Sequence, residues 1–364
     1  MRFVDEYRDI KLVKKIAGKI EAIMPPRQIN IMEVCGTHTQ NFFRFGLDKI
    51  LPQGLRLISG PGCPVCVSSQ GYIDSAIKIA QQKNTIILTF GDMLRIPGRS
   101  STLEKERAKS ADVRVVYSPL DSIDVAKANP GKKVIFLAVG FETTVPTIAL
   151  SILAAKKEKL DNLFFLCALK LIPPAMGHLS KDKRLKLNGF LCPGHVSSII
   201  GTKPYEFIAK RYKIGCCVAG FEPLDILEGI YFLMEQIVKD KPAVDNQYIR
   251  AVKKDGNPQA QKIIAQVFQI GDASWRGFGV IPRSGLKLRK EFSRFDAERE
   301  FKISRSAEHE VQNRRCKCGD VLKGLILPIA CPLFAGACTA DNPVGPCMVS
   351  HEGACNAYFK YKKF

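Results

Sequence analysis

Two apolar β-type runs each stop at a glycine-marked turn that carries cysteine, and this pattern restricts the fold more than any other feature. The first reads IMEVCGTHT from Ile31. The second, LRLISGPGCPVC, starts at Leu55 and ends at Cys66. If the two runs are neighbouring parallel strands, Cys35, His38, Cys63 and Cys66 gather at one edge of a sheet. Open α/β folds place their chemistry at that edge.

The rest of the chain repeats the alternation. Apolar runs predict strands over 28–34, 55–59, 85–90, 113–117, 133–139, 162–169, 189–191 and 214–219. Helical periodicity falls over 5–24, where Pro25 and Pro26 stop it, and over 37–45, 70–82, 102–109 and 205–212. Two further helices run to about Lys157 and Val238. Strand then helix with short loops predicts parallel sheets covered on both faces. The expected α/β fold has two Rossmann-like domains, 1–118 with the CGTH and CPVC motifs and 119–240. A Cys-rich C-terminal domain of helix and coil follows over 241–364.

In that last part a helix is expected near 259–268, and GFGVIPRSGLKL reads as turn-rich. The stretch from Phe292 to Arg315 is highly charged. From Cys316 the chain is rich in Cys, Gly and Pro. Such a tail buries too little apolar surface to fold well unaided, which a metal or cluster would remedy.

Of 364 residues, 46% are hydrophobic and 25% charged, as in globular proteins, and the net charge is +20. The basic residues are spread along the chain, which favours a solvated lysine-rich surface first, an acidic partner second and nucleic acid last. No apolar run reaches the ~18 residues of a membrane span. The N-terminal MRFVDEYRDIKLVKK lacks the apolar core of a signal peptide, so a cytoplasmic location is expected. Thirteen cysteines in such a protein favour metal binding or thiol redox chemistry over structural disulfides. Cys167, Cys192, Cys216 and Cys217 sit in apolar runs and read as small buried hydrophobes.

Three constellations carry chemistry. Cys35, between a strand and a helix start, lies in a helix-dipole field that lowers a thiol's pKa, so a thiolate is expected. His38, about one helical turn on, suits a proton relay, a metal ligand or a hydrogen-bond partner. In SGPGCPVC, glycines and prolines predict a tight, exposed turn, with Cys63 and Cys66 as a redox pair or half of a metal site. The tail cysteines Cys316, Cys331, Cys338 and Cys355 follow C-x14-C-x6-C-x16-C. Wide spacing in a glycine-rich coil leans toward a cubane iron–sulfur cluster over structural zinc. Cys318 and Cys347 are left over as a potential redox pair. GFETT at 140 and GFEPLD at 220 each end a strand and open a helix, so Glu142 and Glu222 read equally as helix caps or as ligand contacts.

IMEVCGTHT, SGPGCPVC, VGFETT, CPGHVS, GFEPLD, GVIPRSGL and GPCMVSHEGAC together resemble the HypD family of hydrogenase maturation proteins over nearly the whole chain. The resemblance implies a scaffold and redox factor that assembles the Fe(CN)2CO group of nickel–iron hydrogenases. It implies Cys35 as the iron-binding thiolate, with His38, Cys63 and Cys66 as site residues. Thr37 and Glu222 are further candidates for contact with the bound group. A [4Fe-4S] cluster on Cys316, Cys331, Cys338 and Cys355 is implied, as are a small HypC-type chaperone and a HypE-type cyanide donor. The chain alone is expected to be monomeric, without nucleic acid or membrane. Thiolates suit a soft ferrous iron, and a CxxC stores two electrons, so an electron route from the tail cluster through Cys63/Cys66 to iron on Cys35 is expected. The alternatives are an iron–sulfur-dependent thiol–disulfide reductase and a zinc-dependent nucleic-acid-binding module.

Overall fold

The computed structural model describes residues 4–303 and 315–362. Part of the charged stretch Phe292–Arg315 lies outside the described residues.

Two parallel sheets organise the chain. The first holds five strands: β1 (Ile29–Glu33), β2 (Leu55–Ser59), β7 (Gly189–Pro193), β8 (Gly215–Ala219) and β9 (Val244–Asn246). Their spatial order is β2-β1-β7-β8-β9. The second holds β3 (Thr85–Thr89), β4 (Val113–Val115), β5 (Lys133–Gly140) and β6 (Leu163–Leu169), in the order β4-β3-β5-β6. β1 and β2 are adjacent and parallel, with Ile29 opposite Leu55 and Glu33 opposite Ser59. Seven of the eight β5 residues are buried, as expected of a parallel strand covered on both faces.

Sheet membership changes near residue 85 and again near 189, so the sheets do not follow a division at 118 and 240. The chain lays down two strands of the first sheet, builds all of the second, and returns. The return inserts β7 directly beside β1, with Ile31 opposite Gly189 and Glu33 opposite Leu191.

Local chemistry sets the helix starts. Asp9 accepts from the Lys11 and Leu12 N–H groups (2.7 and 3.2 Å) and caps the helix Ile10–Ala22. Ser69 accepts from Tyr72 N–H (3.3 Å) and caps Gln70–Ala80. The expected helix near 259–268 runs over Pro258–Val267. The run read as turn-rich belongs to an antiparallel hairpin, β10 (Phe268–Trp275) with β11 (Gly279–Leu288). Its turn packs on the tail, where a Cβ on Gly277 would lie 2.5 Å from Gly319 Cα.

The tail joins the core of the first sheet. Cys318, Val321, Leu322, Cys347 and Met348 share one buried cluster with Met32, Phe190 and Trp275. The last helix, Ala354–Tyr361, packs on Gly36–Arg44, with the Phe43 and Tyr358 rings 4.4 Å apart.

Candidate functional site

The carboxyl ends of β1, β2, β7 and β8 bring four turns together. β1 leads into Cys35, the residue before the helix Gly36–Arg44. β2 leads into Gly60–Cys66, whose Gly62 carbonyl accepts from Gly36 N–H (3.1 Å). A Cβ on Gly62 would sit 2.3 Å from Cys35 N, so only glycine allows the two turns to meet this closely. β7 ends in Pro193 and delivers His195, whose Nε2 lies 3.6 Å from Cys35 Sγ. β8 leads into Gly220 and Phe221. The Phe221 ring stands 4.9 Å from His38 and is stacked 5.0 Å from His195.

His38 Nε2 donates to the Gly220 carbonyl (2.8 Å), which fixes the proton on that nitrogen and leaves buried Nδ1 without a partner. Burial pushes both His38 and His195 down to about 4, so both are neutral at physiological pH. Thr37 Oγ1 donates to Glu352 Oε1 (2.9 Å), a carboxyl brought by the tail. Glu352 packs against Gly36, where a Cβ would meet its backbone oxygen at 2.2 Å. Glu33, at the end of β1, is buried, accepts from the Thr39 hydroxyl, and is pushed up by burial to about 8.

Two expectations are corrected here. The rim is not exposed: Cys35 is 1% exposed, and Cys63 and Cys66 are buried with it. Nor is Cys35 a thiolate in the free protein. Burial first, and the nearby Glu352 carboxylate second, push its thiol well above the ordinary range. Backbone N–H groups of the following helix pull the other way and are outweighed. Any soft metal ion that bound Cys35 would first have to displace this proton, and His195 Nε2 stands 3.6 Å from the sulfur.

A line of sulfur runs from this rim into the tail. Cys66 N–H donates to Cys63 Sγ (3.2 Å). Side-chain contacts then join Cys66 to Cys347, Cys347 to Cys318 and Cys355, and Cys318 to Cys316. Val344 N–H donates to Cys338 Sγ (3.3 Å), and Cys331 packs against the same cluster. A Cβ on Gly345 would fall 2.8 Å from Cys316 Sγ and 2.9 Å from Cys318 Sγ. No disulfide joins any of the thirteen cysteines. Among the described residues no group of His, Cys, Asp or Glu is preset to hold a single metal ion.

The remaining candidates divide. Glu222 caps the helix Pro223–Val238 in a reciprocal pair with Asp225, and its carboxylate also binds Arg8 (2.9 Å from Nη2). Glu142 is buried and accepts from Ile172 N–H (2.9 Å), at the start of a different helix from the one its motif opens. Cys192, Cys216 and Cys217 are buried as expected, whereas Cys167 is half-buried. His195 and Glu352 lay within recognised motifs and were not singled out. A strand ending in Pro-Gly-His is the signal that points to the first.

These features define an α/β protein whose paired strand ends carry a cysteine–histidine centre wired by sulfur contacts to a cysteine-rich tail. The HypD model, described as "Hydrogenase formation hypA family", matches residues 11–362. The chain is 43% identical to the hydrogenase maturation factor HypD of Escherichia coli K12, covering 100% of this chain and 99% of that one. It is 42% identical to HypD2 of Bradyrhizobium diazoefficiens and 41% identical to HypD of Cupriavidus necator, each over 100% of this chain and 98% of the relative. The chain belongs to the HypD family of hydrogenase maturation factors. Among the described residues no helix is long and apolar enough to cross a membrane.

Proposed function

We propose that this protein is a scaffold and redox factor on which the Fe(CN)2CO group of nickel–iron hydrogenases is assembled. Iron, with its cyanide and carbonyl ligands, is the cargo, and Cys35 is its protein ligand, shared with a small HypC-type chaperone. A HypE-type partner supplies the cyanide groups. The observation that carries this reading is the Cys35–His195 contact at the meeting point of four strand ends, with Cys63 and Cys66 on the adjoining turn. A soft thiolate donor suits ferrous iron bearing cyanide and carbon monoxide. His195, itself kept neutral by burial, relays to solvent the proton that iron displaces from Cys35, and Phe221 stacks on its ring. Because Cys35 is covered, loading requires the neighbouring Glu352–Thr37 contact and the Gly60–Cys63 turn to move aside when the partner docks.

Cys316, Cys331, Cys338 and Cys355 are the proposed ligands of a [4Fe-4S] cluster. The donor chemistry fits: Cys338 and Cys355 lie in the buried cluster that holds the tail, Cys316 and Cys331 pack against it, and Cys338 Sγ already accepts a backbone N–H, which stabilises thiolate charge. Such a cluster supplies single electrons when bound. The chain's own contribution is the thiol relay, Cys318 with Cys347 and Cys63 with Cys66, joined through the Cys66–Cys347 contact. The same relay supports thiol–disulfide reduction as the second reading.

Infrared spectroscopy on protein copurified anaerobically with its chaperone tests the proposal. Cyanide and carbonyl stretches are expected in the native complex and are lost in Cys35→Ala. An intact, iron-loaded complex without those bands would refute it. Cys63→Ser/Cys66→Ser with normal cofactor assembly would remove the relay's middle step.

A further inference from the structure

A cavity of about 470 Å³ opens beside the tail, lined by Gln70, Arg99, Arg276, Cys316, Cys318 and Gly345 among others. It lies apart from Cys35 and reaches the outer end of the sulfur line. Its size is in the range of small-ligand sites.

Arg276, in the turn between β10 and β11, forms part of its wall and is 4% exposed. Nε donates to the Ser68 carbonyl (2.8 Å) and Nη1 to Gln70 Oε1 (3.0 Å), both neutral acceptors. Nη2 is buried without a partner. No carboxylate pairs with this guanidinium among the described residues, whereas Arg99 at the same cavity is ion-paired with Asp74 (3.2 Å). A buried cation with only neutral acceptors and an idle donor is costly, and an incoming anion relieves that cost. The next residue, Gly277, packs directly on Gly319, which holds the guanidinium and the Cys318 sulfur on adjoining walls.

We propose that this cavity binds a low-molecular-weight thiol bearing a carboxylate, anchored by Arg276 and aimed at Cys318. The inference rests on the reading of Cys318 and Cys347 as a redox pair, and it names their reductant class. The ligand thiolate attacks Cys318 Sγ of the oxidised pair. The Cys318–Cys347 bond breaks, and Cys347 leaves as the thiolate and takes up a proton. A second thiol attacks the mixed disulfide, releases the small-molecule disulfide and leaves Cys318 reduced. Two thiols and one protein disulfide thus give one small disulfide and two protein thiols. Arg276 provides a charge-assisted bond that an uncharged thiol does not receive.

The test uses full-length protein, purified anaerobically and oxidised with one equivalent of diamide, with Cys318–Cys347 followed by alkylation and mass spectrometry. Glutathione is compared with glutathione diethyl ester at equal thiolate concentration. Glutathione is expected to reduce the pair about tenfold faster. Arg276→Met brings the two rates together, and Arg276→Lys keeps part of the preference. If Arg276→Met does not fold, the comparison of the two thiols on the native protein stands alone. Equal rates on native protein, with the Cys318–Cys347 disulfide present, overturn the anion site and leave the redox pair intact. Failure of that disulfide to form overturns both.

Discussion

The turns Gly220–Asp225 and Gly140–Val145 share the letters Gly-Phe-Glu, follow a parallel strand and open a helix, yet they perform different work. Phe221 contacts both histidines of the Cys35 centre, whereas Phe141 stacks on Trp275 in the core (6.0 Å). Glu222 is half-buried and paired with Arg8. Glu142 is buried with one carboxyl oxygen lacking a partner. Three positions further on, Asp225 occupies the place that Val145 holds in the other turn, and both side chains are fully buried. Asp225 binds Arg250 (2.8 and 2.6 Å) and Gln247 (2.8 Å). Arg250 in turn lies between the rings of Tyr7 (3.8 Å) and Tyr248 (4.5 Å). The first sheet thus uses its turn for a polar network beside the Cys35–His195 rim, and the second uses the same motif for packing.

The largest effect is expected where the first sheet's turns meet. Gly62→Ala forces a Cβ into the Cys35 backbone and should lower stability by about 4 kcal/mol. Gly131, just before β5 of the second sheet, has open space around its Cβ position. Gly131→Ala should stay within about 0.5 kcal/mol. Denaturant unfolding of the two variants measures the contrast, and comparable losses would remove the claim that the first rim is the tightly specified one.

Next comes the swapped position. Asp225→Ala leaves Arg250 without its carboxylate and should cost about 3–4 kcal/mol, the lower part of the range for a broken buried pair because Arg250 is partly exposed and keeps its aromatic neighbours. Val145→Ala removes two methyl groups from a packed site and should cost about 2 kcal/mol. Equal losses would mean that the polar network contributes no more than apolar contact does.

Much of this was legible from residue order. β1 and β2 are the expected parallel neighbours, because their apolar runs are short and uninterrupted and each stops at a glycine turn. The partition between sheets was not. Nothing in a run such as GFLCP says that it will slide in beside β1 after an excursion through a complete second sheet. The β10–β11 hairpin was hidden by its glycines and proline, which read as punctuation. The thiol state of Cys35 was misjudged because a dipole can be read from a helix start, while burial depends on segments distant in sequence. Glu352, bonded to Thr37, lies 315 residues beyond that threonine. His195 was missed for the same reason, since its partner lies 160 residues earlier.

The last contrast is read at Glu142 by pH. Burial pushes Glu142 from its ordinary 4.5 up to about 7, while its backbone hydrogen bonds pull only partly back. Below about pH 4.5 the carboxyl is protonated in folded and unfolded chains alike and does not distinguish them. Between about 4.5 and 7 the folded protein keeps the proton that the unfolded chain has released. The folded state then binds more protons, and stability falls as pH rises. Above that window the loss is constant at about 3 kcal/mol as an upper bound. Glu142→Gln keeps an acceptor for Ile172 N–H and removes the ionisation. Its stability should match the native protein at pH 4.5 and exceed it increasingly up to about pH 7, then run parallel. If the Glu142→Gln curve runs parallel to the native curve throughout, the buried turn carries no proton and the contrast between the two motifs is one of packing alone.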